Sequence, residues 1–196
     1  MNHLAHFHLA GECEHRVVGA LLGDYVKGPL TGALPQALEC GIRLHRRVDA
    51  FTDGHPALRT LRCHFGPGER RLAGVVTDLF FDYLLTRHWR RFHEPALETF
   101  SARVYAILGR NAGALPPAAA RHARRIVDHD LLCRYGEADV VEGALARLGE
   151  RLGQPQAMRA ATAIAWSRLG EFEAAFLAFY PQLVAIAAAP EFSAAG

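Results

Sequence analysis

Apolar residues in this chain recur every three or four positions and almost never alternate over a strand's length, which restricts the fold to packed helices. Glycine and proline supply the breaks. The spacing predicts helices over residues 15–27, stopped by Gly28-Pro29; 35–52, ended by Asp53-Gly54; 56–65, ahead of Gly66-Pro67-Gly68; and 69–92, closed by Pro95. Further helices are expected over 96–108, 117–134, 138–152 and from 155 to 180 or beyond. No Gly/Ser linker or internal repeat divides them, so residues 1–196 read as one compact all-α domain. Hydrophobic residues at 51% and charged ones at 21% supply a core and exclude a disordered or fibrous chain. The apolar stretch 172–189 is interrupted by Glu173, Pro181 and Gln182. It falls short of the roughly 20 apolar residues of a membrane span, so a core helix and no membrane partner are expected. Phe172, Phe176, Phe179 and Tyr180 are expected to complete that core.

With 22 basic against 20 acidic residues the net charge is +2, too balanced for nucleic-acid binding by bulk electrostatics. Cys13, Cys40, Cys63 and Cys133 lie far apart, with no C-x-x-C pair, and read as reduced. The start of the chain has no basic stretch leading into an apolar run, so a cytoplasmic protein is expected. Phosphate-binding loops of the G-x-x-x-x-G-K-[ST] and G-x-G-x-x-G kinds, a G-x-S-x-G elbow and an H-E-x-x-H helix are all missing, which turns attention from nucleotide folds, serine hydrolases and zincins.

Ionisable residues stand where apolar ones belong. Leu38, Ile42, His45, Asp49 and Thr52 share one face of the second expected helix, setting a histidine and a carboxylate on a buried seam. Asp78 and Asp82 lie one turn apart in a run that is otherwise nearly all apolar. Asp24 follows Leu21 by three and Val17 by seven. Burying unpaired carboxylates costs several kcal/mol each, as an order of magnitude, so partners or a cation must neutralise them. With 11 histidines, three in the first ten residues, a shared divalent metal is the economical expectation, manganese, magnesium, iron or zinc. Plainer readings exist: His45 and Asp49 as a helical i,i+4 pair, Asp78 and Asp82 held by Arg46, Arg47 or Arg87, and Asp24 bracing a helix end near Gly28. The doublet His129-Asp130, inside Asp128-His129-Asp130, sits among Arg121, Arg124, Arg125 and Arg134 on what reads as a solvated basic face.

Four segments together carry a resemblance: Met1-Asn2-His3-Leu4-Ala5-His6; Leu22-Gly23-Asp24-Tyr25-Val26-Lys27-Gly28; Gly41-Ile42-Arg43-Leu44-His45-Arg46-Arg47-Val48-Asp49-Ala50-Phe51-Thr52-Asp53; and Asp78-Leu79-Phe80-Phe81-Asp82-Tyr83 with His88-Trp89. In order and spacing they resemble the acyl carrier protein phosphodiesterases over roughly the first 93 residues. The resemblance implies a helical fold distantly related to HD-type phosphohydrolases and a divalent metal, typically Mn2+, with Mg2+ or Fe2+ as alternatives. It also implies hydrolysis of the phosphodiester joining 4'-phosphopantetheine to a serine of holo acyl carrier protein. Asp24 matches the position that such enzymes need for activity. His3 departs from the family's usual aromatic residue and is not taken as a ligand, whereas His6 is.

On that basis Asp24, His45 and Asp78, completed by His6 or Asp82, are expected to hold the metal. Asp49 or Asp53 would orient the attacking water or take its proton, and His45 or His88 would deliver a proton to the leaving serine. Lys27, Arg46 and Arg47 are candidates for the nonbridging phosphate oxygens. Arg46-Arg47, Arg70-Arg71, Arg90-Arg91 and Arg124-Arg125 are candidate docking surfaces for the carrier. The rival readings are an HD-like phosphohydrolase of nucleotides or other small phosphoesters, and a non-catalytic module that binds the carrier.

Overall fold

A computed structural model describes residues 1–192 of the chain. Among these residues there are twelve α-helices and no strand, as the periodicity requires. They are α1 (His3–Ala10), α2 (Glu14–Leu22), α3 (Gln36–Gly54), α4 (Pro56–Arg62), α5 (Ala73–Arg87), α6 (Trp89–Phe92), α7 (Leu97–Asn111), α8 (Pro117–Asp128), α9 (Leu131–Arg134), α10 (Ala138–Arg151), α11 (Pro155–Ser167) and α12 (Leu169–Ala187).

One continuous core joins them. At its centre α5 buries Val76, Phe80, Phe81, Leu84 and Leu85, and α12 packs Phe172, Phe176, Phe179 and Tyr180 against it, all fully enclosed. Ring centroids of Phe81 and Phe176 lie 5.4 Å apart and those of Phe80 and Phe172 5.5 Å apart, spacings at which tilted aromatic pairs attract. Helix α12 packs into the core on its aromatic side, with Pro181 accommodated inside it; against the expectation that the stretch falls short, Leu169–Ala187 is long and apolar enough to cross a membrane by length and composition alone.

Several expected helices are interrupted. The first stops at Leu22 rather than residue 27, because the Tyr25 and Val26 N–H groups both turn back to the Leu22 carbonyl. Asp24 therefore sits on a turn. The long fourth helix divides at His88, the one over 117–134 at Asp130, whose backbone is left-handed (φ 48°), and the last at Arg168. Helix α1 was not foreseen. It is eight residues long, three of them histidines among apolar residues, and has no acidic residue in its own first turn. Asp82 of α5 supplies that cap from outside: its two oxygens accept the Leu4 and Ala5 N–H groups at 2.9 and 3.1 Å.

Candidate metal-binding active site

The site is assembled where α1, α2, α3 and α5 meet, and two glycines set the spacing. A Cβ on Gly19 would run into the Leu38 carbonyl oxygen, and one on Gly41 into the Arg16 carbonyl oxygen, so α2 and α3 cross with backbone against backbone. That approach lets His45 Nδ1–H donate to the Ala20 carbonyl at 2.7 Å. Gly23 completes the seat, since a Cβ there would overlap the His45 ring. The bond fixes the tautomer and aims Nε2 outward, the arrangement that orients a metal-ligating histidine.

His45 Nε2 faces Asp49 Oδ2 at 3.1 Å and Asp24 Oδ1 at 3.5 Å. From α1, His6 stacks on His45 with centroids 3.8 Å apart and rings 11° from parallel, and its Nε2 lies 3.1 Å from Asp49 Oδ1. One carboxylate thus spans two imidazoles. His6, His45 and Asp49 offer ligand atoms within 4.8 Å of one another. Both rings are buried, while Asp49 and Asp24 are 40% and 51% exposed, so the cluster is closed at the back and open at the front. The α-ammonium of Met1 is enclosed with it, 3.1 Å from Asp49 Oδ1 and 3.3 Å from Asp78 Oδ1.

The electrostatics follow from crowding acids around few cations. Burial would lower the His45 pKa, but the Asp24 and Asp49 carboxylates outweigh it and raise the pKa to about 9. Burial also dominates at His6, which drops to about 4 despite its bond to Asp49. Burial pushes the Asp49 and Asp24 carboxyls upward, yet the histidines hold both below the usual range. Asp78 is pushed up by burial, against the pull of the Met1 ammonium.

Of the residues singled out in the sequence, His6, Asp24, His45, Asp49 and Asp78 come together here. Asp24 stands at the mouth of the site instead of facing the interior. Asp49, expected to act on water, is instead the carboxylate that both imidazoles share. Asp82 is fully buried, with both oxygens bonded at the start of α1, which corrects its reading as a metal ligand. Asp53 is 77% exposed and paired with Arg62 at 3.0 Å, and His88 is bonded to Glu173 of α12, so neither joins the cluster. Arg46 donates to the Val26 and Gly28 carbonyls at 2.7 and 2.8 Å, bracing the turn that carries Lys27 instead of offering a fork to phosphate. Arg47 is exposed and stands about 200° around α3 from His45, on the opposite face. Lys27 is exposed on the turn next to Asp24. No arginine neutralises Asp78 or Asp82 among the described residues; a terminal ammonium and two backbone amides take that part.

Other participants escaped the sequence reading. The Tyr25 hydroxyl and His122 Nδ1 of α8 share a 2.7 Å hydrogen bond, and the His122 ring meets His3 edge-on at 4.4 Å. His3, its pKa pushed down by burial to about 3, thus fills an aromatic packing position. Two histidines beside Asp24 were a compositional hint, but their pairing spans more than a hundred residues.

The sequence model of the family described as Acyl carrier protein phosphodiesterase matches residues 1–183. A protein named acyl carrier protein phosphodiesterase from Serratia proteamaculans is 33% identical over 186 residues, covering 94% of this chain and 96% of the relative. Relatives of the same name from Pectobacterium atrosepticum (29% identical; 95% and 97% covered) and Salmonella dublin (32% identical; 96% and 98% covered) match at similar length. No solved structure matches the chain. The matches run through the α10–α12 region, where no motif had been legible, as well as through the cluster. The chain therefore belongs to the acyl carrier protein phosphodiesterase family, a family of hydrolases.

Proposed function

We propose that the protein hydrolyses the phosphodiester joining 4'-phosphopantetheine to a serine of holo acyl carrier protein, releasing the apo carrier and 4'-phosphopantetheine. The observation that carries this reading is the convergence of His6, His45 and Asp49 at the open end of a buried pocket of charge. Two imidazole nitrogens with surrounding carboxylate oxygens form a donor set that suits Mn2+, with Mg2+ or Fe2+ as alternatives. His6, His45 and Asp49 would hold the ion, with Asp24 and Asp78 at its edge. A cation there, when bound, neutralises charge on a phosphate oxygen and makes water easier to deprotonate.

The chain's own groups have distinct tasks. The Ala20 carbonyl keeps Nε2 of His45 turned to the site, and Asp49 ties the two rings into one unit. Asp24, half-exposed and beside His45 Nε2, orients the attacking water and accepts its proton. Lys27 offers its ammonium to a nonbridging oxygen. The water oxygen bonds to phosphorus, the bond from phosphorus to the serine oxygen breaks, and that oxygen leaves with the proton that Asp24 took from the water. The reading places the enzyme in the cytoplasm, where the free cysteines stay reduced.

Incubating the purified protein with holo carrier and MnCl2 and weighing the carrier tests it. Loss of the phosphopantetheine mass is expected. An unchanged carrier mass contradicts the proposal, with nucleotide hydrolysis then favouring the HD-like rival and a stable complex favouring a binding module.

A further inference from the structure

Most guanidinium groups with a close carboxylate have a single such partner: Arg62 with Asp53, Arg103 with Glu12, Arg110 with Glu14, Arg134 with Glu137, and Arg168 with Glu171, which His64 also reaches. Among the described residues, Arg121 and Arg125 of α8 and Arg151 at the end of α10 are exposed and, like several other exposed arginines such as Arg47 and Arg124, have no carboxylate within salt-bridge distance; it is their place in the fold that sets them apart. Their location is specific. The Tyr25–His122 bond fastens α8 to the turn that carries Asp24, the residue before Tyr25. Arg121 and Arg125 stand one helical turn apart and flank His122 in sequence. Arg121 and Arg151 act against the rise that burial and Asp24 give the Tyr25 phenol, and Arg125 and Arg151 add to the burial that disfavours a proton on His122, so each of the three charges is felt at this bonded pair. Gathering like charges without counter-charges is unfavourable, and an anionic surface laid over them relieves it. The other candidates lack this placement: Arg46 is committed to backbone carbonyls, Arg90 donates to the Glu94 carbonyl, and Arg47 faces away from the cluster.

Resting on the phosphodiesterase reading, we propose that Arg121, Arg125 and Arg151 form the docking face for the carrier protein, taken as a small acidic partner whose surface carboxylates they engage. Because the Tyr25–His122 bond ties α8 to the turn that carries Asp24, a carrier seated on these arginines has its serine-linked phosphodiester near the Asp24 mouth. This surface selects a protein-borne phosphodiester over a small one and acts on KM rather than on chemistry.

The test is a triple charge reversal, Arg121→Glu with Arg125→Glu and Arg151→Glu, assayed on holo acyl carrier protein. KM is expected to rise by at least about tenfold, with kcat within about twofold and turnover of bis(p-nitrophenyl) phosphate unchanged. Added KCl should raise the wild-type KM and lower that of the reversed variant, whose interaction with an acidic carrier is repulsive. The triple Arg→Gln variant, should the reversal fail to fold, is expected to show a smaller rise in KM. Arg70→Glu with Arg71→Glu is the control and should leave KM alone. An unchanged KM in the α8–α10 variants, or an equal rise in the control, overturns the docking face. Carrier binding by fluorescence anisotropy separates the two claims. A wild type that binds through these arginines without cleaving overturns the phosphodiesterase reading alone. A wild type that cleaves while the variants bind equally well overturns the docking face alone.

Discussion

Helix α1 carries His6 and His8 two residues apart, and they serve different regions. His8 turns to the α12 side, where Nδ1 meets the Tyr180 hydroxyl at 2.8 Å and Nε2 the Phe92 carbonyl at 3.3 Å, amid the Trp89, His93 and Phe100 rings. Each nitrogen has its own partner, and burial lowers its pKa to about 4, so it stays neutral. His6 turns the other way and shares Asp49 with His45 and with a terminal ammonium. The carboxylates repeat the contrast, because Asp82 has two amides to itself whereas Asp49 is divided among three cationic or donor groups. Burial of a polar group by itself therefore does not mark a site. Sharing does, when it is combined with an opening to solvent: a privately satisfied group stabilises, while an over-subscribed one at a mouth is poised to exchange partners with a ligand.

The contrast breaks most sharply at Asp49. Asp49→Ala should abolish turnover of the holo carrier, by about a thousandfold or more, while circular dichroism stays that of a folded helical protein. Near-normal turnover would reduce Asp49 to a helical partner of His45. Gly23→Ala comes next: the added methyl displaces the His45 ring, and activity should drop by about a hundredfold, since orientation of a ligand through its surroundings is worth that much. Unchanged activity there would mean that the seat against Gly23 is immaterial.

Asp82→Ala should show the opposite pattern. It orphans two buried amides at about 1–3 kcal/mol each, so urea denaturation should show a loss of roughly 2–6 kcal/mol, while the folded fraction keeps activity within about tenfold. Abolished turnover at full stability would return Asp82 to the metal site. The smallest effect concerns pH. Burial raises the Asp82 pKa to about 7, so the folded state keeps a proton that the unfolded state gives up between about pH 4 and 7. The stability this group contributes declines as pH rises through that interval. The stability gap between wild type and Asp82→Asn should shrink from pH 5 to about 8; a gap that widens or stays level would contradict the raised pKa.

What the sequence disclosed was what repeats locally. The i,i+4 placement of His45 and Asp49 on an apolar face could be read because helical geometry depends only on neighbours along the chain. Asp24 and Asp78 were found for the same reason, as acids out of pattern. The all-α architecture followed from the same periodicity, but the breaks at Leu22, His88 and Arg168 did not, because no glycine-proline pair marks them. Apart from the family resemblance that made it a ligand candidate, His6 was visible only as part of a histidine excess: α1 is too short to show a face, and its cap lies on α5. The Gly19–Gly41 crossing, the Ala20 carbonyl, the Arg46 brace and the Tyr25–His122 bond depend on which helices meet, and neither spacing nor composition encodes that. Asp82 was misread because an acid on an apolar stripe looks the same whether it awaits a metal or caps a distant helix.

The central claim is that His6, His45 and Asp49 together bind a divalent cation. Anomalous diffraction from crystals grown with MnCl2 tests it most directly. The account predicts a manganese peak bounded by the Nε2 atoms of His6 and His45 and the carboxylate of Asp49, and its loss in Asp49→Ala crystals. A peak elsewhere, or one that persists in that variant, would contradict it.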